Sequence, residues 1–176
     1  YESTPELFID LSLISSGYSP SRLVVSDESL VALDSDQGKL VSIAMDNKKT
    51  MVLAGPDQAK DAKDIAYYAS RPFVLFADGV YEVGDKKEKV IENTWGINSL
   101  IYAYTANIYV LNKETSEIYR FNGTASGFGT KGNWLAPGIS IDLSNTTSWV
   151  IDGSIWIASS SGKITKILQG VPSNFE

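Results

Sequence analysis

Four segments of the sequence align with one another without a gap: residues 23–33, 66–76, 101–111 and 148–158. This internal repetition limits the possible folds more than any other feature of the chain. Each copy is apolar, then small and polar, then apolar again, with Val, Ile, Tyr and Trp prominent, which is the pattern of two short strands joined by a tight turn. The turn columns read Asp27-Glu28-Ser29, Ser70-Arg71-Pro72, Thr105-Ala106-Asn107 and Asp152-Gly153-Ser154. A third strand follows each time, at 40–43, 80–83, 118–121 and 164–167, and its third position is polar in every copy: Ser42, Glu82, Arg120 and Lys166.

The second strands begin at Leu30, Phe73, Ile108 and Ile155, giving spacings of 43, 35 and 47 residues. A four-stranded propeller blade takes about 40 to 50 residues, and a sandwich has no such period. The expectation is an all-β chain forming one β-propeller domain over 1–176, with repeats of about 22–55, 64–94, 98–144 and 147–170. A single repeat cannot bury its apolar face, so copies stack around an axis with the first strand of each innermost. Ile9-Asp10-Leu11-Ser12 leads into the first repeat much as Ile141-Asp142-Leu143-Ser144 leads into the fourth, and both read as outer strands. Two arrangements fit. Either a strand over about 6–14 pairs with an unfinished fourth blade and clasps the ring, removing two sheet edges, or the repeats form an arc of a larger propeller. Helical spacing is almost absent; the best window, 57–68, suits one short turn after Gly55-Pro56.

Composition removes whole classes of chemistry. The 176 residues include no Cys and no His, which excludes zinc fingers, disulfides, thiol nucleophiles, Ser-His-Asp triads and the usual haem ligands. Any metal would be a hard cation held by oxygens, and because the carboxylates sit mainly in turns, neither a metal nor a cofactor is expected. With 15 basic residues scattered among 21 acidic ones and a formal charge of -6, nucleic acid is not an expected partner. No apolar run approaches the roughly 18 to 20 residues of a membrane helix, so no membrane insertion by this segment is expected. The sequence opens at Tyr1 rather than Met, without a charged start and long apolar stretch, and reads as a processed chain or a piece of something longer.

Residues 108–121, Ile-Tyr-Val-Leu-Asn-Lys-Glu-Thr-Ser-Glu-Ile-Tyr-Arg-Phe, resemble blades of the broad NHL, YVTN and PQQ-like propeller group, and the likeness extends over about 7–168. More narrowly, the segments 10–14, 52–56, 64–68, 133–137 and 152–156 resemble propeller regions of uncharacterised bacterial proteins. Some of those propellers lie beyond a membrane helix from a metal-dependent serine/threonine phosphatase domain. The resemblance implies a sensory or scaffolding role, an extracytoplasmic location and tethering through a membrane helix outside this segment. None of that phosphatase's aspartate-rich motifs is present, so no catalytic residue carries over.

Several local motifs have bland readings. Residues 127–132 spell G-x-G-x-x-G, but Asn133-Trp134-Leu135-Ala136-Pro137 cannot continue as the helix a dinucleotide site needs. Ser160-Ser161-Gly162-Lys163 spells S-x-x-K in an expected hairpin, and Asp34-Ser35-Asp36-Gln37-Gly38 starts like a calcium loop that lacks its final acid. Asn122-Gly123-Thr124 and Asn145-Thr146-Thr147 match the glycosylation sequon by composition alone.

Aromatic side chains carry more. The columns Val24, Tyr67, Tyr102, Trp149 and Val31, Val74, Tyr109, Trp156 read as packing between blades. Trp95, Phe128 and Trp134 instead lie in connections, and with Lys131 they form the candidate binding residues: aromatics on Gly-rich loops over a rigid ring suit recognition. Trp134 equally suits a plug that docks its loop on the ring. The functional expectation is a non-catalytic module, not an enzyme, that binds a protein, small-molecule or carbohydrate partner. The alternatives are a carboxylate enzyme such as a glycosidase or lyase, drawing on Asp27, Asp64, Asp78 and Asp152, or a structural spacer.

Overall fold

A computed structural model describes residues 4–26, 28–96 and 98–174. The strands form four small antiparallel sheets set in a ring, each ordered as the chain runs. Blade 1 comprises β1 (Arg22–Val25), β2 (Ser29–Asp34), β3 (Lys39–Ala44) and β4 (Thr50–Ala54). After one helical turn, α1 (Pro56–Ala59), blade 2 follows as β5 (Asp64–Tyr68), β6 (Arg71–Phe76), β7 (Gly79–Glu82) and β8 (Glu88–Glu92). Blade 3 holds β9 (Leu100–Tyr104), β10 (Asn107–Asn112) and β11 (Glu117–Phe121); a small ribbon, β12 (Gly123–Thr124) with β13 (Gly127–Phe128), precedes its outer strand, β14 (Gly132–Asn133). Blade 4 is β15 (Thr146–Ile151), β16 (Ile155–Ser159), β17 (Ile164–Leu168) and β18 (Val171–Ser173). The first strands of successive blades, β1, β5, β9 and β15, lie against one another and surround the axis.

Alternation along the strands puts one set of apolar residues on each face of a sheet, and three cores form where faces of successive blades meet. Val31, Leu33 and Leu40 of blade 1 meet Ile65, Val74 and Val83 of blade 2. Phe73, Leu75 and Val80 meet Ile101, Ile108, Val110 and Phe121. Tyr109, Leu111 and Ile118 then meet Trp149, Ile151, Ile155, Ile157 and Ile167 of blade 4. The remaining face of blade 1 is covered in part by the amino-terminal segment, with Phe8, Ile9, Leu11 and Ile14 against Ala32, Val41 and Ile43. Tyr18 fixes this segment by donating its hydroxyl to the carbonyl of Ala32 at 2.8 Å.

Two expectations are corrected here. Residues 6–14 do not pair with blade 4: Leu11–Leu13 make a 3-10 turn, and the fourth blade supplies its own outer strand, β18. The two-residue turn Gln169-Gly170, with φ of 50° and 81°, has the left-handed backbone that a tight hairpin needs, so the chain folds back at once. The likeness between Ile9-Asp10-Leu11-Ser12 and Ile141-Asp142-Leu143-Ser144 has a different cause. In both, the Asp carboxylate accepts from the backbone N–H and the hydroxyl of the Ser two residues on, at 2.6 to 3.0 Å. These are Asx turns, not strands.

The second correction concerns register in blade 2. Its first hairpin turns at Ala69-Ser70, both at positive φ, and Arg71 and Pro72 already belong to β6. Pro72, rather than Phe73, is therefore the counterpart of Leu30, Ile108 and Ile155. One residue of slip exchanges the two faces of a strand. Phe73 accordingly faces blade 3, while Val74 faces blade 1.

Candidate functional site

Because the innermost strands run in the same direction within their blades, their amino-terminal ends gather at one mouth of the axis. There they enclose a pocket of about 370 Å³. Blade 1 lines it with Ser21, Arg22 and Val24, blade 2 with Asp64 and Ile65, blade 3 with Leu100 and Tyr102, and blade 4 with Thr147, Ser148 and Trp149. Lys113 reaches it from the β10–β11 hairpin. All four blades thus contribute. The ring of Tyr102 meets that of Trp149 edge-on, with centroids 6.0 Å apart, so the seam between blades 3 and 4 forms an aromatic wall.

Asp64 opens β5 and is almost wholly buried, with its side chain 11% exposed. Its Oδ2 accepts the backbone N–H of Ile101 at 2.9 Å, tying the innermost strand of blade 2 to that of blade 3. Its Oδ1 lies 3.5 Å from the Nε of Arg22, whose side chain is 47% exposed. Burial pushes the Asp64 carboxyl up to about 6, against the opposing pull of backbone N–H groups of Ile101 and Ile65 and of the cations Arg22 and Lys113. Lys113 is held below its ordinary value, first by burial and then by the nearby Arg22, with Asp64 opposing. Two cations therefore crowd one carboxylate.

The other carboxylates do not join Asp64 in this pocket. Asp78 lies in the β6–β7 turn, where it accepts from Lys89 Nζ and the Tyr81 hydroxyl, both at 2.7 Å. Asp152 lies in the β15–β16 turn and accepts from Ser154 N–H and Trp156 Nε1. Hydrogen bonds hold both carboxyls below the usual range. Asp27 lies outside the described residues. Asp34, at the start of the calcium-like stretch, is 2% exposed, and its oxygens accept from Gln37 N–H and Ser19 N–H, each at 2.8 Å, so the acid organises a hairpin. No group of three or more acids able to hold a metal ion occurs among the described residues.

The loop residues are dispersed. Trp95 is 5% exposed, inside the core between blades 2 and 3 and edge-on to Phe121 at 5.9 Å, which leaves it no face for a ligand. Phe128, in β13, packs edge-on against Phe73 at 5.8 Å. Trp134 packs on the other core, between blades 3 and 4, and its backbone N–H donates to the carbonyl of Ile118 at 2.7 Å. Lys131 lies over the Tyr119 ring, 4.5 Å from its centroid. The G-x-G-x-x-G stretch is spent on β13 and β14, with no helix after it. Further tethers hold the segment down. Ala136 N–H donates to the carbonyl of Gly170, and a Cβ at Gly170 would come within 2.6 Å of Ala136 N.

Sequence reasoning named Asp64 but missed Arg22, Lys113 and the hydroxyls beside them. They come from different repeats and different columns, so no motif joins them. Only placing every first strand on one axis would have brought them together.

No protein-family model and no curated protein sequence matches the chain. Among solved structures it is similar to streptogramin B lyase, at 10% identity and a TM-score of 0.48, over 86% of this chain and 54% of that one. It is also similar to a protein of unknown function from Bacteroides thetaiotaomicron VPI-5482, at 12% identity and a TM-score of 0.52, over 91% of this chain and 44% of that one. The chain spans about half the length of each. The likeness to the Bacteroides protein is one of fold, and it agrees with the sheet order and the axial first strands: the chain is a four-bladed β-propeller.

Proposed function

We propose that this propeller is a non-catalytic binding module whose ligand seats in the axial pocket. The observation that carries this reading is the convergence of all four blades, and of the charged residues Arg22, Asp64 and Lys113, on one concavity of about 370 Å³. That is the size range of small-molecule sites, which run from about 300 to 1,000 Å³. A carboxylate hydrolase would need a second acid across the substrate. Asp64 is the one carboxylate lining this pocket among the described residues, and its Oδ2 is committed to Ile101. The connection that runs from Asn122, after β11, to Ser140 and carries Phe128, Lys131 and Trp134 is a weaker site, because Phe128 and Trp134 spend their faces on two different cores. The resemblance to tethered bacterial propellers supports a sensory or scaffolding module in a larger extracytoplasmic protein. Crystals soaked in mixtures of small organic fragments test the site. Density is expected between Arg22, Lys113 and Trp149, and fragments gathering only over 122–140 would move the site there.

A further inference from the structure

The charges that line the axial pocket do not balance. Arg22 and Lys113 supply two positive charges, and Asp64 supplies one negative charge. Asp64 is also partly used, since one oxygen serves the Ile101 N–H and the other stands 3.5 Å from Arg22. Arg22 gives one Nη1 hydrogen to the carbonyl of Ser21 at 2.8 Å, and its Nη2 donates to no group among the described residues. Lys113 makes no ion pair or hydrogen bond among the described residues, although it is half-buried and stands near a second cation. The half-buried Lys113 ammonium binds an anion more strongly than an exposed one would, because less water competes for it; Arg22, with its side chain 47% exposed, adds a second, more solvated donor. Beside them stand the Ser148 hydroxyl and the half-buried ring of Tyr102, backed edge-on by Trp149, whose 8% exposed margin borders the pocket, so an apolar side is offered to the rest of a ligand. The hydroxyls of Ser21 and Thr147 already donate to the carbonyls of Leu33 and Ala158.

We propose that the axial pocket takes a small organic carboxylate, an aromatic or other apolar body bearing a single negative charge, with its carboxylate between Arg22 and Lys113 and its body against Tyr102 and Trp149. This rests on the axial pocket being the binding site. One negative charge neutralises the excess; a dianion would reverse it and face Asp64 unpaired. Electroneutral pairing in a partly desolvated site favours the first.

Benzoate, benzamide and phenyl phosphate separate the possibilities when titrated, near neutral pH, into the nitrogen-15-labelled chain and followed by amide chemical shifts. Benzoate is expected to move the amides of Arg22, Ile101, Lys113 and Thr147, and benzamide to bind about tenfold more weakly or worse, as expected when a charge-assisted hydrogen bond is lost. Arg22→Gln and Lys113→Gln should each weaken benzoate about tenfold. Each also removes a cation that favours ionised Asp64, so a modest fall in melting temperature near neutral pH accompanies the loss, while the amide spectrum away from the pocket stays unchanged. Asp64→Asn should tighten benzoate several-fold, a gain that misfolding cannot imitate. Equal binding of benzamide at the same amides would overturn the anion preference and leave the pocket as the site. Tighter binding of phenyl phosphate would overturn the single charge. If no probe moves these amides up to its solubility limit, both the anion proposal and the axial site fail.

Discussion

Ile118 in β11 and Ile164 in β17 hold the same position in successive blades, the first apolar residue of the third strand, and they make an internal comparison. Ile118 is 0% exposed beneath blade 4, as Leu40 and Val80 are beneath the blades that follow them, whereas Ile164 is 45% exposed. Each stands opposite the second strand in the same way, Ile118 across from Leu111 and Ile164 across from Ala158. Replacing a fully buried Ile by Ala removes its transfer energy and leaves a cavity, at a cost of about 2 to 5 kcal/mol. Ile118 touches side chains of both blade 3 and blade 4, so the cavity cannot close without moving a sheet, and about 3 to 4 kcal/mol is expected. At Ile164 water fills the space. Only part of the roughly 1.5 to 3 kcal/mol for burying a large aliphatic side chain is at stake, so Ile164→Ala should cost about 1 kcal/mol or less. Urea unfolding of both variants, followed by tryptophan fluorescence and by circular dichroism in parallel, measures the difference. Equal losses would refute the reasoning, because they would require the outer face of blade 4 to be covered in solution. A loss at Ile164 that grows with protein concentration would identify the cover as a second copy.

Two further outcomes follow from the same packing. Replacing Phe128 and Trp134 together by Ala should lower the melting temperature substantially, by an amount corresponding to several kcal/mol, since each fills space at an inter-blade core; an unchanged melting curve would return these aromatics to the surface as binding residues. Asp64 gives a pH dependence of known sign. Its carboxyl binds a proton more tightly in the folded chain, at about 6, than in the unfolded one, near 3.8, so its contribution is fully present below pH 4 and is lost as pH rises through 6. The loss is about 3 kcal/mol at 1.36 kcal/mol per unit, and Asp64→Asn should flatten this part of the stability profile, which unfolding curves at several pH values would show.

The third strands were legible as elements, since β3, β7, β11 and β17 include the stretches 40–43, 80–82, 118–121 and 164–167, but the burial of their first apolar column was not: Leu40, Val80 and Ile118 are covered by the next blade, while Ile164 is 45% exposed. Where sequence failed, backbone conformation had decided. Ala69-Ser70 turns with positive φ despite lacking Gly or Asn, while the nearby Pro72, which reads as a turn residue, serves in a strand. Gln169-Gly170 similarly returns the chain at once and completes blade 4 without help from the amino terminus. In the connection over 122–140, the aromatics stood out in sequence, but whether they face water or the core depends on Phe73 of blade 2 for Phe128 and on the core between blades 3 and 4 for Trp134. The axial pocket was the least legible part. Asp64 was visible only as one carboxylate among several, and what distinguishes it is the burial and the two cations that the ring supplies.

A carbon-13 titration of the Asp64 side-chain carboxyl tests that convergence directly. A midpoint of about 6 is expected, and Lys113→Gln, which removes a cation contributed by the next blade, should move it higher still. A midpoint near the ordinary 3.8 that does not respond to Lys113→Gln would mean that Asp64 is neither buried at the axis nor close to Lys113, and the axial pocket would not exist as described.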